Sequence, residues 1–198
     1  MSAARDQVTP PPSASQTVGP FFHLGMVYLE RENFVPEGVS GERITIRGKV
    51  LDGNRNVVPD AVLEIWQADS AGQYASELPA RSSDRPRFLG FGRVETNDEG
   101  EFRFATIKPG RVRSPEGPMQ APHIVITLFS RGLLKPLHTR IYFPDEASNA
   151  DDPVLNLVPA ERRSTLIATP SGERGAPNLL YWNIVMQGDG ETVFFDYD

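Results

Sequence analysis

Residues 120–129, QAPHIVITLF, alternate between two kinds of side chain, which is the pattern of a half-buried β-strand. Because successive side chains of a strand point to opposite faces, one face of this segment carries isoleucine and leucine, and the other begins with His123. A histidine two residues further on would share that face and could bind a metal ion together with His123, but this position is Val125. The segment therefore has the form of a metal-binding strand with half of its donor atoms missing.

Other short β-rich runs are separated by glycine and proline turns, and they cover 44–51, 61–67, 88–94, 101–107, 137–143, 179–187 and 191–196. Helix is scarce, and the best candidate begins at Pro159. We therefore predict an all-β fold, an antiparallel β-sandwich with little helix. The turn sequence DGNRN at 52–56 further predicts that the runs 44–51 and 61–67 pair with each other.

The N-terminal segment is different in character. Residues 9–16 are polar and rich in proline, so they cannot form helix and should lie extended or disordered. In the following TVGPFFH, residues 17–23, a Gly-Pro turn precedes two aromatic residues that need cover from the chain's own sheet or from another chain. We predict an N-terminal arm and extension at 1–40 that packs on a partner chain, and a single β-sandwich domain at 41–198.

Composition excludes several classes of protein. The net charge is −6 and the basic residues are dispersed, so neither a nucleic-acid face nor a polybasic membrane patch is indicated. Cysteine is absent, which excludes disulfides, thiolate metal sites and thiol nucleophiles. The first residues contain no apolar signal region and no run is long enough to span a bilayer, so we expect a cytoplasmic protein.

The chain lacks the glycine-rich phosphate loop, the G-x-S-x-G elbow and the His-Glu-x-x-His motif. Any mechanism that uses histidine must rely on His23, His123 or His138. Five segments, at 60–74, 106–110, 121–124, 139–143 and 187–195, resemble the intradiol ring-cleavage dioxygenases. The resemblance implies the β-sandwich of that family with an extended N-terminal arm, and a non-haem ferric ion held by two tyrosines and two histidines.

The ligand positions implied by the resemblance fall on Tyr74, Val112, His123 and Val125. Two of the four are aliphatic, so this chain should bind no metal, because such a centre generally needs three or more protein donors. Tyr74 and His123 would remain as a structural pair in which the tyrosine is hydrogen-bonded to the histidine.

Two further positions depart from the pattern of the catalytic chains. Gln120 stands where those chains have arginine, and Arg140 stands where they have glutamine. Because these changes occur at the same site as the two valines, they indicate a vacated pocket.

Some members of this family consist of an iron-bearing β subunit and a homologous α subunit with an empty pocket, and this sequence resembles the α type. The resemblance implies a homologous β subunit as partner in a larger α/β oligomer, with Fe(III) on the partner and no catalytic residue in this chain. The implied substrate is protocatechuate, which O2 converts to 3-carboxy-cis,cis-muconate.

By the same resemblance, Thr17, Gly19 and Pro20 would line the wall of the partner's pocket. Arg131 would face the carboxylate of the substrate, for which a guanidinium fork is well suited. Arg131 also follows the strand at 123–129 directly, at a strand exit where loops often carry binding groups. A solvated charge at a strand end is the alternative.

Two other functions stay open on the sequence. A self-sufficient intradiol enzyme would need replacement ligands, for which His23, His138 and Tyr142 are the candidates. A metal-free binding module would use the sandwich as a platform and would lack a hydrophobic surface for a partner chain.

Overall fold

The computed structural model describes residues 13–19, 32–75, 88–114 and 117–196, which form eleven β-strands and three short 3₁₀ helices. The strands are β1 Arg43–Leu51, β2 Val62–Trp66, β3 Phe91–Glu95, β4 Glu101–Ile107, β5 Val112–Arg113, β6 Met119–Gln120, β7 His123–Phe129, β8 Leu137–Tyr142, β9 Thr169–Pro170, β10 Leu179–Tyr181 and β11 Ile184–Val185. The predicted all-β class with little helix is confirmed.

Two sheets form the layers of the sandwich. The first is antiparallel throughout, with the strand order β3-β2-β7-β8. In the second sheet, β4 pairs antiparallel with one edge of β1, while β10 and then β11 run parallel to its other edge. Strand β9 extends this sheet beside β10. A separate hairpin of β5 and β6 lies just before β7 in the chain.

The core lies between the two sheets and is built from the inward side chains of the alternating strands. Every second residue of β1 and of β7 is fully or almost fully buried. The large side chains of this core that are fully buried are Ile46, Leu63, Ile65, Phe104, Ile124, Ile126, Leu128, Ile141 and Phe143. The predicted division of β7 into an aliphatic inner face and a mixed outer face is therefore confirmed.

The predicted pairing of runs 44–51 and 61–67 is wrong. Strand β1 pairs with β4, β10 and β11, whereas β2 pairs with β3 and β7 in the other sheet. The turn itself forms, because Asp52 Oδ1 accepts the backbone N–H groups of Asn54 and Asn56 at 2.8 Å. The chain then crosses to the opposite layer, and Asp60 takes a left-handed conformation with φ 57° just before β2. The alternating pattern requires only that each strand turns its apolar face to the core. Two strands meet this requirement equally well in different sheets that face each other across the core and side by side in one sheet.

The segments outside the sheets close the sandwich. The predicted helix after Pro159 is a 3₁₀ helix, Ala160–Leu166, and the other 3₁₀ helices are Ala147–Asp151 and Leu155–Leu157. The run at 191–196 forms no strand, only an isolated bridge between Phe195 and His138. Near the N-terminus, Phe34 stacks on Phe104 of the core with ring centroids 5.6 Å apart. Among the described residues, no helix has the length and apolar character to cross a membrane.

Gly48 on β1 provides a test of the packing between the layers. A Cβ at this position would lie 1.7 Å from the carbonyl oxygen of Trp182 and 2.8 Å from the ring of Phe102. We expect Gly48→Ala to lower the free energy of unfolding by about 3 kcal/mol, because the backbone of Trp182 would have to shift to make room for the added Cβ. Gly19→Ala is the control, since a Cβ there meets no heavy atom within 4 Å. Equal urea midpoints for the two variants would contradict the packing described.

Candidate functional site

The outer face of β7 carries the two adjacent positions that the sequence singled out. His123 and Val125 both point away from the aliphatic core, as predicted. In the register of the sheet, Val125 lies between Trp66 of β2 and Arg140 of β8. His123 lies opposite Tyr142 of β8. These five side chains are the centre of the candidate site.

His123 is buried and held in one tautomer. It is 2% exposed, and its Nδ1 donates a hydrogen bond to the carbonyl oxygen of Ala121 at 2.8 Å. Because a carbonyl can only accept, Nδ1 carries the proton, and the neutral ring keeps a lone pair on Nε2. Burial lowers the pKa of His123 to about 4, and the positive charge of Arg140 adds to this effect. His123 is therefore a neutral, oriented imidazole at neutral pH.

Tyr142 packs against the ring of His123. The rings of His123 and Tyr142 have centroids 5.9 Å apart, and the Tyr142 hydroxyl donates to Asp152 Oδ1 at 3.0 Å. Burial raises the pKa of Tyr142 far above its usual value; Arg140 opposes this rise and Asp152 adds to it. Tyr142 is thus a neutral hydrogen-bond donor and not a phenolate.

Asp152 is the centre of a fully buried network that the sequence reasoning missed. Its carboxylate accepts the backbone N–H groups of Ala121, Val154 and Leu155 at 2.7, 2.9 and 2.7 Å, besides the hydroxyl of Tyr142. These bonds join the start of β7, the end of β8 and the 3₁₀ segment after Asp152. A buried carboxylate needs such donors to replace its hydration. The only sequence signal was an acidic residue before a proline, which is common in turns.

Val112 and Tyr74 are the two remaining positions that the resemblance implies as ligands. Val112 on β5 is buried, lies opposite Gln120 of β6, and has no atom that could bind a metal. Tyr74 stacks on Trp66, with ring centroids 5.8 Å apart and an interplanar angle of 17°. His123 donates from Nδ1 to Ala121, and the structural pair of Tyr74 and His123 stays a prediction.

Gln120 and Arg140, which the sequence flagged separately, contact each other. Gln120 Oε1 accepts a hydrogen bond from Arg140 Nη1 at 2.7 Å, and Gln120 Nε2 donates to Ser114 Oγ at 3.1 Å. The guanidinium of Arg140 also lies 5.9 Å from the ring centroid of Phe195. A charged, half-buried side chain is therefore fixed directly across from Val125.

A ferric ion of the kind implied by the resemblance does not fit these residues. Tyr74 and His123 supply donor atoms, but Val112 and Val125 do not, and Arg140 places a positive charge beside them. In the part of the chain that the structure describes, no group of three or more His, Cys, Asp or Glu side chains could hold a metal ion.

The replacement ligands considered from the sequence do not remedy this. Tyr142 is committed to Asp152 as a neutral donor. His138 Nδ1 lies 3.2 Å from Thr127 Oγ1 on the neighbouring strand. His23 lies outside the described residues.

A second group of predicted residues meets at the far end of β7. Arg131, in the turn after the strand, is 58% exposed at its side chain and pairs with Asp60, with Nη2 and Oδ2 2.7 Å apart. The backbone N–H of Gly132 donates to Thr17 Oγ1 at 2.7 Å, so the N-terminal arm is attached to the Arg131 turn. We call Thr17, Gly19, Asp60, Arg131 and Gly132 the arm–loop surface.

Three details complete this surface. Gly19 is exposed, and the space around its Cα is open. Pro20, the third predicted wall residue, lies outside the described residues. Asp60 was missed as a partner of Arg131, because the two residues are 71 positions apart and the chain offers many other acids.

The two groups are well separated. Strand β7 runs for seven residues from His123 to Phe129. At about 3.3 Å per residue, the ends of this strand are roughly 20 Å apart. Arg131 lies beyond the far end, so it cannot reach a molecule bound at His123 and Val125 of its own chain.

An aromatic surface lies beside Val125. Trp66 and Phe91 are paired across β2 and β3, are 39% and 37% exposed, and have ring centroids 6.1 Å apart. Tyr74 stacks on Trp66, and Leu89 just before β3 is 60% exposed. Exposed apolar area of this kind indicates an interaction surface.

Comparisons with known proteins agree with this fold. A family model described as Dioxygenase matches residues 30–188. The protocatechuate 3,4-dioxygenase alpha chain of Burkholderia cepacia is 45% identical over 92% of this chain and 95% of its own length. The beta chain of the same enzyme is 34% identical over 95% of this chain and 80% of its own length. The crystal structure of 3-chlorocatechol 1,2-dioxygenase from Rhodococcus opacus 1CP shares the fold, with a TM-score of 0.63 and 21% identity over 93% of this chain and 71% of that one.

The buried His123 makes stability dependent on pH. Its pKa is about 4 in the folded chain against an ordinary value of 6.5, so between these values the unfolded chain binds more protons. The contribution of His123 to the free energy of unfolding should therefore fall by about 3 kcal/mol as the pH drops from 6.5 to 4. Urea unfolding of the wild type and of His123→Gln, compared at each pH, measures this contribution. A difference between the two proteins that does not change with pH would contradict it.

Proposed function

We propose, since the chain belongs to the intradiol dioxygenase family, that it is the non-catalytic α subunit of a protocatechuate 3,4-dioxygenase. In this proposal a homologous β subunit holds the ferric iron and cleaves protocatechuate with O2 to 3-carboxy-cis,cis-muconate. This chain forms an α/β oligomer with that subunit and supplies part of the wall of its pocket. The similarity to α chains over nearly the whole sequence supports this assignment.

One structural observation supports the proposal that the β subunit carries out catalysis while this chain contributes only binding groups. The groups suited to a substrate carboxylate and the positions that correspond to metal ligands lie at opposite ends of β7. Because Arg131 is far from the donor positions of its own chain, it can act on a substrate only when that substrate is held by another chain. The absence of donor atoms from Val112 and Val125 agrees with this, since neither end is a complete active site by itself.

Arg131 binds the carboxylate of the substrate in this proposal. Its guanidinium has five N–H donors, of which the contact with Asp60 occupies one nitrogen. The remaining edge of the fork can take a carboxylate in two parallel hydrogen bonds. Asp60 limits the positions that the long side chain can adopt, so less conformational entropy is lost when the substrate binds.

The arm supplies the rest of the wall. The Thr17 hydroxyl fixes the backbone of Gly132, directly after Arg131, and so ties the arm to the turn that carries the guanidinium. Gly19 and Pro20 then extend the wall. The open space around Gly19 allows a ring or a neighbouring backbone to approach closely.

The alternatives have less support. A self-sufficient enzyme requires further donors, and Tyr142 and His138 are engaged in hydrogen bonds with Asp152 and Thr127. A free-standing binding module would not be expected to carry the exposed aromatic surface around Trp66 and Phe91. In an α/β oligomer that surface is suited to contact with another subunit.

The first test concerns the lone chain. Purified without a partner, it should contain no stoichiometric iron and should not cleave protocatechuate. Co-expression with a homologous β chain should give a stable complex, iron and activity, as measured by size-exclusion chromatography, iron analysis and oxygen uptake. Full activity of the lone chain would refute the proposal.

The second test concerns Arg131. In the assembled enzyme, Arg131→Ala should raise the KM for protocatechuate roughly 10- to 100-fold, because a charged hydrogen bond is lost. The KM for catechol, which has no carboxylate, should change little. Lys135→Ala is the control, since it removes an exposed positive charge from the same loop and leaves the guanidinium of Arg131 in place. Equal effects of Arg131→Ala on both substrates would exclude a role in carboxylate binding.

A further inference from the structure

We propose that Arg140 actively excludes metal ions from the former ligand positions of this chain. The two valines remove donor atoms from the site, and the guanidinium places a fixed positive charge directly opposite position 125, where the catalytic chains that the sequence resembles have glutamine. The chain should therefore reject iron even if its missing donors are restored. This inference concerns the chain's own pocket and does not depend on the role proposed for Arg131.

The first argument is the position of Arg140. It is paired directly with Val125 across β7 and β8. Cβ atoms of directly opposed residues in an antiparallel pair lie about 4.5–5.5 Å apart. A histidine placed at position 125 would thus share its immediate surroundings with a guanidinium.

The second argument is how Arg140 is held. Its Nη1 donates to Gln120 Oε1 at 2.7 Å, and Gln120 lies opposite Val112 in the β5–β6 hairpin. The Gln120–Arg140 pair therefore borders both aliphatic positions at once. Ser114 fixes the other end of the Gln120 amide, at 3.1 Å. The charge is consequently not free to swing away into solvent without breaking this chain of hydrogen bonds.

The third argument is the chemistry of the charge. Arginine does not lose its proton under protein conditions, unlike lysine or histidine, so it cannot make room for a cation by becoming neutral. Its charge already acts on His123, whose Nε2 lone pair is the surviving nitrogen donor. In a partly buried site such repulsion is weakly screened, and it increases with the charge of the metal ion.

The main experiment restores the metal-binding side chains at positions 112 and 125, both in a protein that keeps the positive charge at position 140 and in one that lacks it. Full-length Val112→Tyr/Val125→His is compared with the same protein carrying in addition Arg140→Gln or Arg140→Lys. Glutamine can keep the hydrogen bond to Gln120 without the charge, whereas lysine keeps a charge without the fork. Each protein is loaded with Fe(III) and dialysed, and its iron content and visible tyrosinate-to-iron absorption are measured.

The Arg140→Gln protein should retain about one iron per chain and show the absorption band. The protein with arginine at position 140 should bind iron at least about a hundredfold more weakly, and the Arg140→Lys protein should bind with intermediate strength, because lysine can lose its proton. Iron binding within twofold across the three proteins would overturn the proposal. So would a folded Arg140→Gln protein, verified by circular dichroism, that binds no iron.

A smaller change guards against failure of the larger variants to fold. Val125→His alone restores two imidazoles on one strand face, and it is compared with Val125→His/Arg140→Gln for Zn²⁺ binding by calorimetry. Removal of the arginine should strengthen Zn²⁺ binding at least about tenfold. Equal affinities would overturn the proposal. Neither experiment involves a partner chain or catalytic activity. A negative result would therefore not affect the α-subunit assignment, and failure of that assignment would not affect this proposal.

Discussion

The two-residue period of β7 is the constraint on which the rest of the structure depends. Its inward side chains are fully buried at the centre of the core, and its neighbours on both sides are antiparallel strands. A shift of the register by one residue would turn isoleucines to the outside and His123 into the core, so the register is strongly fixed. The same constraint sets the outer face, where Val125 must lie between Trp66 and Arg140.

The polar side chains on the outer face of β7 are held by hydrogen bonds. His123 donates to a carbonyl, and Asp152 receives four donors. The Gln120–Arg140 hydrogen bond adds a fixed contact beside the two valines. Such bonds fix the orientation of buried polar side chains and replace the hydration that they lose on folding.

The opposite end of the strand carries the groups that we propose for substrate binding. Arg131 and Thr17 are brought together there by a turn and by an arm that are distant in sequence, and Asp60 holds the guanidinium from the other side. A rigid strand thus separates two sets of side chains by a fixed length. An assembly of homologous chains can use this separation, because a subunit that lacks chemistry at one end can still contribute binding groups from the other.

The sequence by itself determined the fold class, the faces of β7 and the missing donors at Val112 and Val125, because these follow from local alternation and from the chemistry of single side chains. It did not determine that β1 and β2 lie in different sheets, nor that Tyr142 packs against His123. It also could not join Gln120 to Arg140 or Arg131 to Asp60. The tertiary structure decided those contacts. The strand order and the crossing between the two sheets bring together residues that are far apart in the chain, and nothing in the sequence indicates which of them will pair.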